Sequence, residues 1–216
     1  MSELTQTIKD ALLTFEEEKI EETVVKRLQS GGNPLEIVNA ITAALIEVGE
    51  LFQKGELFLP HLVMAGEAVK SVILNRLEPL LKATGAERKT AGRVVIGTVA
   101  GDIHDIGKSI VASMLFSAGF DVIDLGKDVP ADEFIKAVKE RNPNIVAMSA
   151  LLSTTLPVQK EVIEVLKKND LRDKVKVIVG GAPATAEWAE EIGADSYAED
   201  AVEAVKVAKR LGEKKT

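Results

Sequence analysis

The sequence predicts an α + α/β architecture. A four-helix bundle cap is expected at residues 1–85, a linker at 86–92 and an α/β domain at 93–216. Three observations predict it. Apolar residues recur at helical spacing through the first part. From Arg93 onward, short apolar runs alternate with amphipathic stretches. Those runs are apolar at successive positions, as strands buried on both faces require, so they read as a parallel sheet with helices on both sides.

In the bundle, Ile8, Leu12 and Phe15 form one stripe, and Ile20, Val24, Val25 and Leu28 a second. Gly31-Gly32 ends the second helix, and Asn33-Pro34 supplies an N-cap followed by proline at the first helical position. Leu35, Ile37, Val38, Ile41, Leu45, Val48 and Phe52 then define a strong face, which Gly55 interrupts. A last helix starts near Pro60 and carries Leu62, Val63, Val69, Val72, Ile73 and Leu77. Short connections between four amphipathic helices make a bundle.

In the second part, strands are expected at 94–99, 122–125, 145–148, 175–179 and, more weakly, 195–197. Helices are expected at 106–118, 131–141, 155–168, 184–192 and 200–211. A five-stranded, doubly wound sheet of this flavodoxin-like or Rossmann-like kind takes the order 2-1-3-4-5. Its ligands bind beyond the carboxyl ends of strands 1 and 3, where the order switches.

Composition narrows the function classes. The 216 residues allow two cores, and 46% hydrophobic with 28% charged residues is the balance of a soluble globular chain. A net charge of −7, with basic residues scattered, argues against a nucleic-acid partner. Without cysteine there is neither a disulfide nor a thiolate metal site. The amphipathic, acidic start is neither a signal nor a transit peptide. The longest uncharged stretch, 142–159, contains Pro143 and Pro157 and is no membrane span. A cytoplasmic protein is expected.

The chemistry concentrates in three loops: GDIHDIG after strand 1, SALLSTT after strand 3 and GGAP after strand 4. His104, one of two histidines, follows Asp102 at a spacing that lets the carboxylate hold the second ring nitrogen and fix the tautomer. Ser149 can extend that relay by donating to the carboxylate. Gly107, and Gly180 with Gly181, allow a large ligand to approach the backbone. Blander accounts exist for each: Asp102 or Asp105 as a helix cap, Gly-Gly as a turn, Ser149 or Thr154 as a cap. Two distant histidines without cysteine make a poor zinc site. A Ser149–His104–Asp102 hydrolase lacks a nucleophile elbow, and GDIHDIG has too few glycines for a phosphate loop.

Taken together, Asp102-Ile103-His104-Asp105-Ile106-Gly107, Ser149-Ala150-Leu151 and Gly180-Gly181 match the D-x-H-x-x-G, S-x-L and G-G elements of cobalamin-binding domains, in order. With the bundle in front, nearly the whole chain resembles the small corrinoid proteins of methyltransferase systems, relatives of the cobalamin-binding module of methionine synthase.

The resemblance implies cobalamin bound with its own base displaced and His104 as the lower ligand on cobalt. Asp102 would orient the imidazole, and Ser149 would link the pair to solvent or to the cofactor's tail. Asp105, Ile106, Gly107, Leu151 and Thr154 would contact the cofactor, and Gly180 and Gly181 would line the tail channel. Phe58, Leu59 and Met64 would cap the upper face, and the linker would act as a hinge. The implied partners are a substrate-specific methyltransferase, a second methyltransferase acting on tetrahydrofolate or a thiol, and a reductive activase. Methanol, methylamines, betaines and methoxyaromatics are the donor options.

Two residues depart from expectation: Lys127 after strand 2 and His61 in the cap segment. The alternatives are the small subunit of a cobalamin-dependent mutase, which usually lacks the bundle, and a cobalamin-sensing regulator, which needs an output module.

Overall fold

The computed structural model describes residues 2–84 and 90–212. Residues 86–89 of the expected linker lie outside them. The chain forms two compact units: Met1–Thr90 with Phe116–Gly119, and Ala91–Leu115 with Phe120–Thr216.

The first unit is helical. The helices are α1 (Glu3–Leu13), α2 (Glu17–Gln29), α3 (Pro34–Gln53) and α4 (Leu59–Val72). The last continues through a π-helical turn at Ile73–Leu77 into α5 (Glu78–Thr84). The Ser2 hydroxyl accepts from Thr5 N, and the Asn33 side chain accepts from Leu35 N at 2.9 Å with Pro34 inside the helix start. Ile8, Leu12, Ile20, Val24, Ile37, Val38, Ile41, Leu45, Leu62, Val69 and Leu77 are buried, as the helical spacing requires. Phe15 departs from its expected stripe: it lies beyond the end of α1 at φ 58, partly exposed.

From Arg93 onward the chain forms β1 (Arg93–Thr98), α6 (Ile106–Ser117), β2 (Asp121–Asp124), α7 (Ala131–Arg141), β3 (Ile145–Ser149), α8 (Pro157–Lys168), β4 (Lys176–Gly180), α9 (Ala186–Ile192), β5 (Ser196–Tyr197) and α10 (Ala201–Gly212). All strand pairs are parallel, in the order β2-β1-β3-β4-β5. Val95, Val146, Val177 and Val179 share a core with Phe134, Val138, Val162, Ile163 and Leu166 of α7 and α8. Their neighbours Ile96, Ala147 and Ile178 are also buried, and α10 packs on β3 and β4. This is why the strands are apolar at successive positions.

Helix α8 starts two residues later than expected, because the preceding residues form a turn with a role of its own.

Candidate functional site

The register places Thr98, Ser149 and Gly180 side by side at the carboxyl ends of β1, β3 and β4. The three unusual loops therefore leave one edge of the sheet together, at the switch in strand order.

Asp102 is the centre of the site. Its residue exposure is 0%, yet its carboxylate is fully used. Oδ1 accepts from His104 N at 3.0 Å and pairs with His104 Nδ1 at 2.8 Å. Oδ2 accepts from Leu151 N at 2.7 Å, Leu152 N at 3.2 Å and the Thr155 hydroxyl at 2.8 Å. Burial alone pushes this carboxyl up; the His104 and Leu151 N–H groups, the Thr155 hydroxyl and the imidazole outweigh it and hold it well below the usual carboxylate range. Asp102 is therefore ionised, and the hydrogen of the 2.8 Å pair sits on Nδ1. In the neutral ring this leaves Nε2 with its lone pair on a side chain that is 47% exposed.

Ser149 does not make the expected bond to Asp102. Its hydroxyl belongs to a strand end, where side chains stand perpendicular to the sheet, and its carbonyl accepts from Val99 N. Thr155, in the turn that folds back over the carboxylate, takes that place. The only sequence signal for Thr155 was its position in a hydroxyl cluster whose members equally suit helix caps. With Ser149 outside the pair's hydrogen bonds, no hydrolase triad forms.

The other expected residues fall as follows. The Asp105 carbonyl accepts the first bond of α6, from Ser109 N. Leu151 contributes its N–H to Asp102 and leaves its side chain partly exposed, and Thr154 is exposed. A Cβ on Gly107 would meet nothing within 4 Å, so the protein's own packing does not explain this glycine. Gly181 is different: at φ +111, a Cβ would lie 1.9 Å from Ala150 O, so the chain's own turn demands glycine there. A Cβ on Gly180 would lie 3.0 Å from Ala198 O.

Large aliphatic side chains surround the histidine without being buried. Ile103 is 65% and Ile106 79% exposed, and Leu151 and Leu152 are also exposed. An apolar rim of this kind, around one unencumbered imidazole nitrogen, suits a broad, largely apolar ligand. Among the described residues no three His, Cys, Asp or Glu side chains come together to hold a bare metal ion. One histidine nitrogen fits a metal whose other donors come from a macrocycle.

The second histidine serves a different purpose. His61 Nδ1 accepts from Phe58 N at 3.3 Å at the start of α4, and its ring lies 5.1 Å from that of Phe15. Phe58 and Met64 are exposed and Leu59 half-buried. Lys127 is exposed. It is its neighbour Asp128 that engages the site, donating from N to Asp102 O at 3.0 Å and accepting from Gly101 N at 2.7 Å.

Two stretches match B12-binding domain families, residues 4–75 and residues 92–206. The chain belongs to the B12-binding corrinoid proteins. Cobalamin is the cofactor of this family, and the residues around His104 fit it.

This corrinoid protein is 50% identical over 210 residues to dimethylamine corrinoid protein 1 of Methanosarcina mazei, covering 97% of this chain and 96% of that one. It is 48% identical to the trimethylamine corrinoid protein of Methanosarcina barkeri over 94% of each. The methanol:cobalamin methyltransferase complex of Methanosarcina barkeri contains a chain of similar structure. The TM-score is 0.88 at 32% identity, covering 100% of this chain and 81% of that one. The relatives span the helical part as well as the sheet. No helix among the described residues is long and apolar enough to cross a membrane.

Proposed function

We propose that this corrinoid protein is a methyl carrier that holds cobalamin with its own base displaced and His104 Nε2 on cobalt. The observation that carries the reading is the 2.8 Å pair between His104 Nδ1 and the buried Asp102, which leaves Nε2 as the ring's available donor. Bound cobalamin supplies a cobalt centre that accepts a methyl group and passes it on.

The protein's residues set the stage for that chemistry. Asp102 fixes the tautomer and plane of the imidazole. With four further donors, the carboxylate is a poor place to put a proton. Asp102 would therefore keep accepting the His104 Nδ1 hydrogen, and Nε2 would be the nitrogen that holds the metal. The exposed Ile103, Ile106, Leu151 and Leu152 would exclude water from a bound corrin, and Gly107 would leave room for it.

The relatives support the donor side of the partner reading. Proteins named for dimethylamine and trimethylamine favour a methylated amine as donor, delivered by a substrate-specific methyltransferase. The carrier role calls in addition for a second methyltransferase, acting on tetrahydrofolate or a thiol, and a reductive activase.

The test is the visible spectrum of the protein reconstituted with hydroxocobalamin, beside His104→Ala. A stoichiometric corrinoid spectrum that shifts in the variant is the expected result. Identical spectra would remove His104 from the metal. Donor class is read by methyl transfer with methylamine-specific against methanol-specific partners.

A further inference from the structure

Lys108 lies in the first turn of α6, four residues after His104, and is only 3% exposed. Both facts are unfavourable for a lysine. Burial strips the ammonium of water, and the amino end of a helix carries the positive end of its dipole. Its pairing with a partly exposed carboxylate recovers only part of that desolvation penalty. Stability alone does not call for a cation here.

Its partner shows what the cation does. Lys108 Nζ donates to Asp124 Oδ2 at the carboxyl end of β2. Asp124 Oδ1 accepts from Gly126 N at 2.8 Å. Gly126 O accepts from Thr98 N at 3.0 Å, and the Thr98 hydroxyl donates to His104 O at 3.2 Å. Two residues on, Asp128 holds Asp102 O and Gly101 N. The histidine loop is thus supported on one side by Leu151, Leu152 and Thr155, and on the other by the loop that follows Asp124. That second support contains Gly126 at φ 85, which glycine adopts freely, and Asp128 at φ 55, a left-handed conformation that a non-glycine residue keeps only when its surroundings favour it. The ion pair stands at the start of this loop.

We propose that Lys108 and Asp124 are positioning residues for the ligand: their ion pair holds the loop after β2, and through it the histidine loop, in the geometry that presents His104 Nε2 to cobalt. This rests on the reading of His104 as axial ligand. It predicts that the pair governs how much histidine is bound to the metal, over and above its share in stability.

The experiment is electron paramagnetic resonance of the full chain loaded with cob(II)alamin and grown with 15N-histidine. Labelled imidazole on cobalt splits the signal into doublets; the unlabelled base of the cofactor gives triplets. In Lys108→Met the ratio of histidine-on to histidine-off centres falls about tenfold, the lower end for outer-shell partners of a metal ligand. Asp124→Asn, which keeps an acceptor for Gly126 N, shows a smaller fall and decides the matter if Lys108→Met does not fold. The double variant Lys108→Met/Asp124→Leu recovers thermal stability but not ligation, and Asp195→Asn lowers stability without changing the splitting. Wild-type splitting in both single variants, or recovery of ligation together with stability in the double one, overturns the proposal alone. Triplets in the wild type overturn the axial-histidine reading and the proposal with it.

Discussion

Two carboxylates of the sheet domain, Asp102 and Asp195, are both drawn into the protein and both hold their protons less tightly than usual, but only one serves a ligand. Asp195 meets the Arg172 guanidinium at 2.7 Å, Lys176 Nζ at 2.9 Å and Val177 N at 2.8 Å. Burial pushes it up, and the Lys176 and Val177 bonds with the charge of Arg172 more than compensate. Its partners end there: they tie the turn before β4 to the start of β5. Asp102 is held by backbone N–H groups, a hydroxyl and an imidazole. Its one ionisable partner, His104, has a second nitrogen facing outward. A lowered carboxyl is therefore no sign of function by itself. What matters is whether the group that lowers it is saturated inside the fold or passes the effect on to a ligand.

Asp102→Asn should break this comparison most severely. The amide cannot serve all five donors, so the ligand-free protein loses about 3 kcal/mol, the scale for removing one partner of a buried charged network. Corrinoid affinity falls about 10- to 100-fold. Urea unfolding and corrinoid titration read the two effects.

Asp195→Asn costs about 2 kcal/mol through weakened charged hydrogen bonds, and corrinoid affinity stays at the wild-type value. If it fell with stability, the two carboxylates would not be separable.

Acid should act on both sites in the same direction. An unfolded aspartate titrates near ~3.9, and both carboxyls titrate lower when folded. As pH falls the unfolded chain binds protons first, so this stabilisation is complete above about pH 5 and is lost towards and through the folded values. Each Asn variant should show a shallower acid loss of stability in urea melts taken from neutral pH downward.

Thr155→Val removes one neutral donor and costs about 1 kcal/mol, measured by thermal melting. Ser149→Ala stays within about 0.5 kcal/mol of wild type. A larger loss for Ser149→Ala than for Thr155→Val would restore the serine to the relay.

Much of the fold was legible because burial on both faces writes itself into the chain. Runs such as 94–99 and 145–148, and the helical stripe of α3, have little other use. The π-helical turn at Ile73–Leu77 left no mark in the apolar spacing, since it changes the hydrogen-bond step while Ile73 and Leu77 stay buried. In the site, Asp102 and His104 were readable from their spacing, because residues two apart in a tight loop meet through local geometry alone. Lys108 and Asp128 carry no local signal of their own. Their roles depend on β2 lying beside β1, which no local pattern encodes.

The sequence by itself determined the strands, the helices and the Asp102–His104 pair, because these follow from periodicity and short-range chain geometry. The tertiary structure decided which hydroxyl completes the pair, which glycine the backbone itself requires, and that an ion pair from the buried Lys108 to Asp124 stands behind the histidine loop. Those outcomes depend on parallel strands bringing together residues as far apart as Asp102 and Thr155. Only the packed sheet sets that distance.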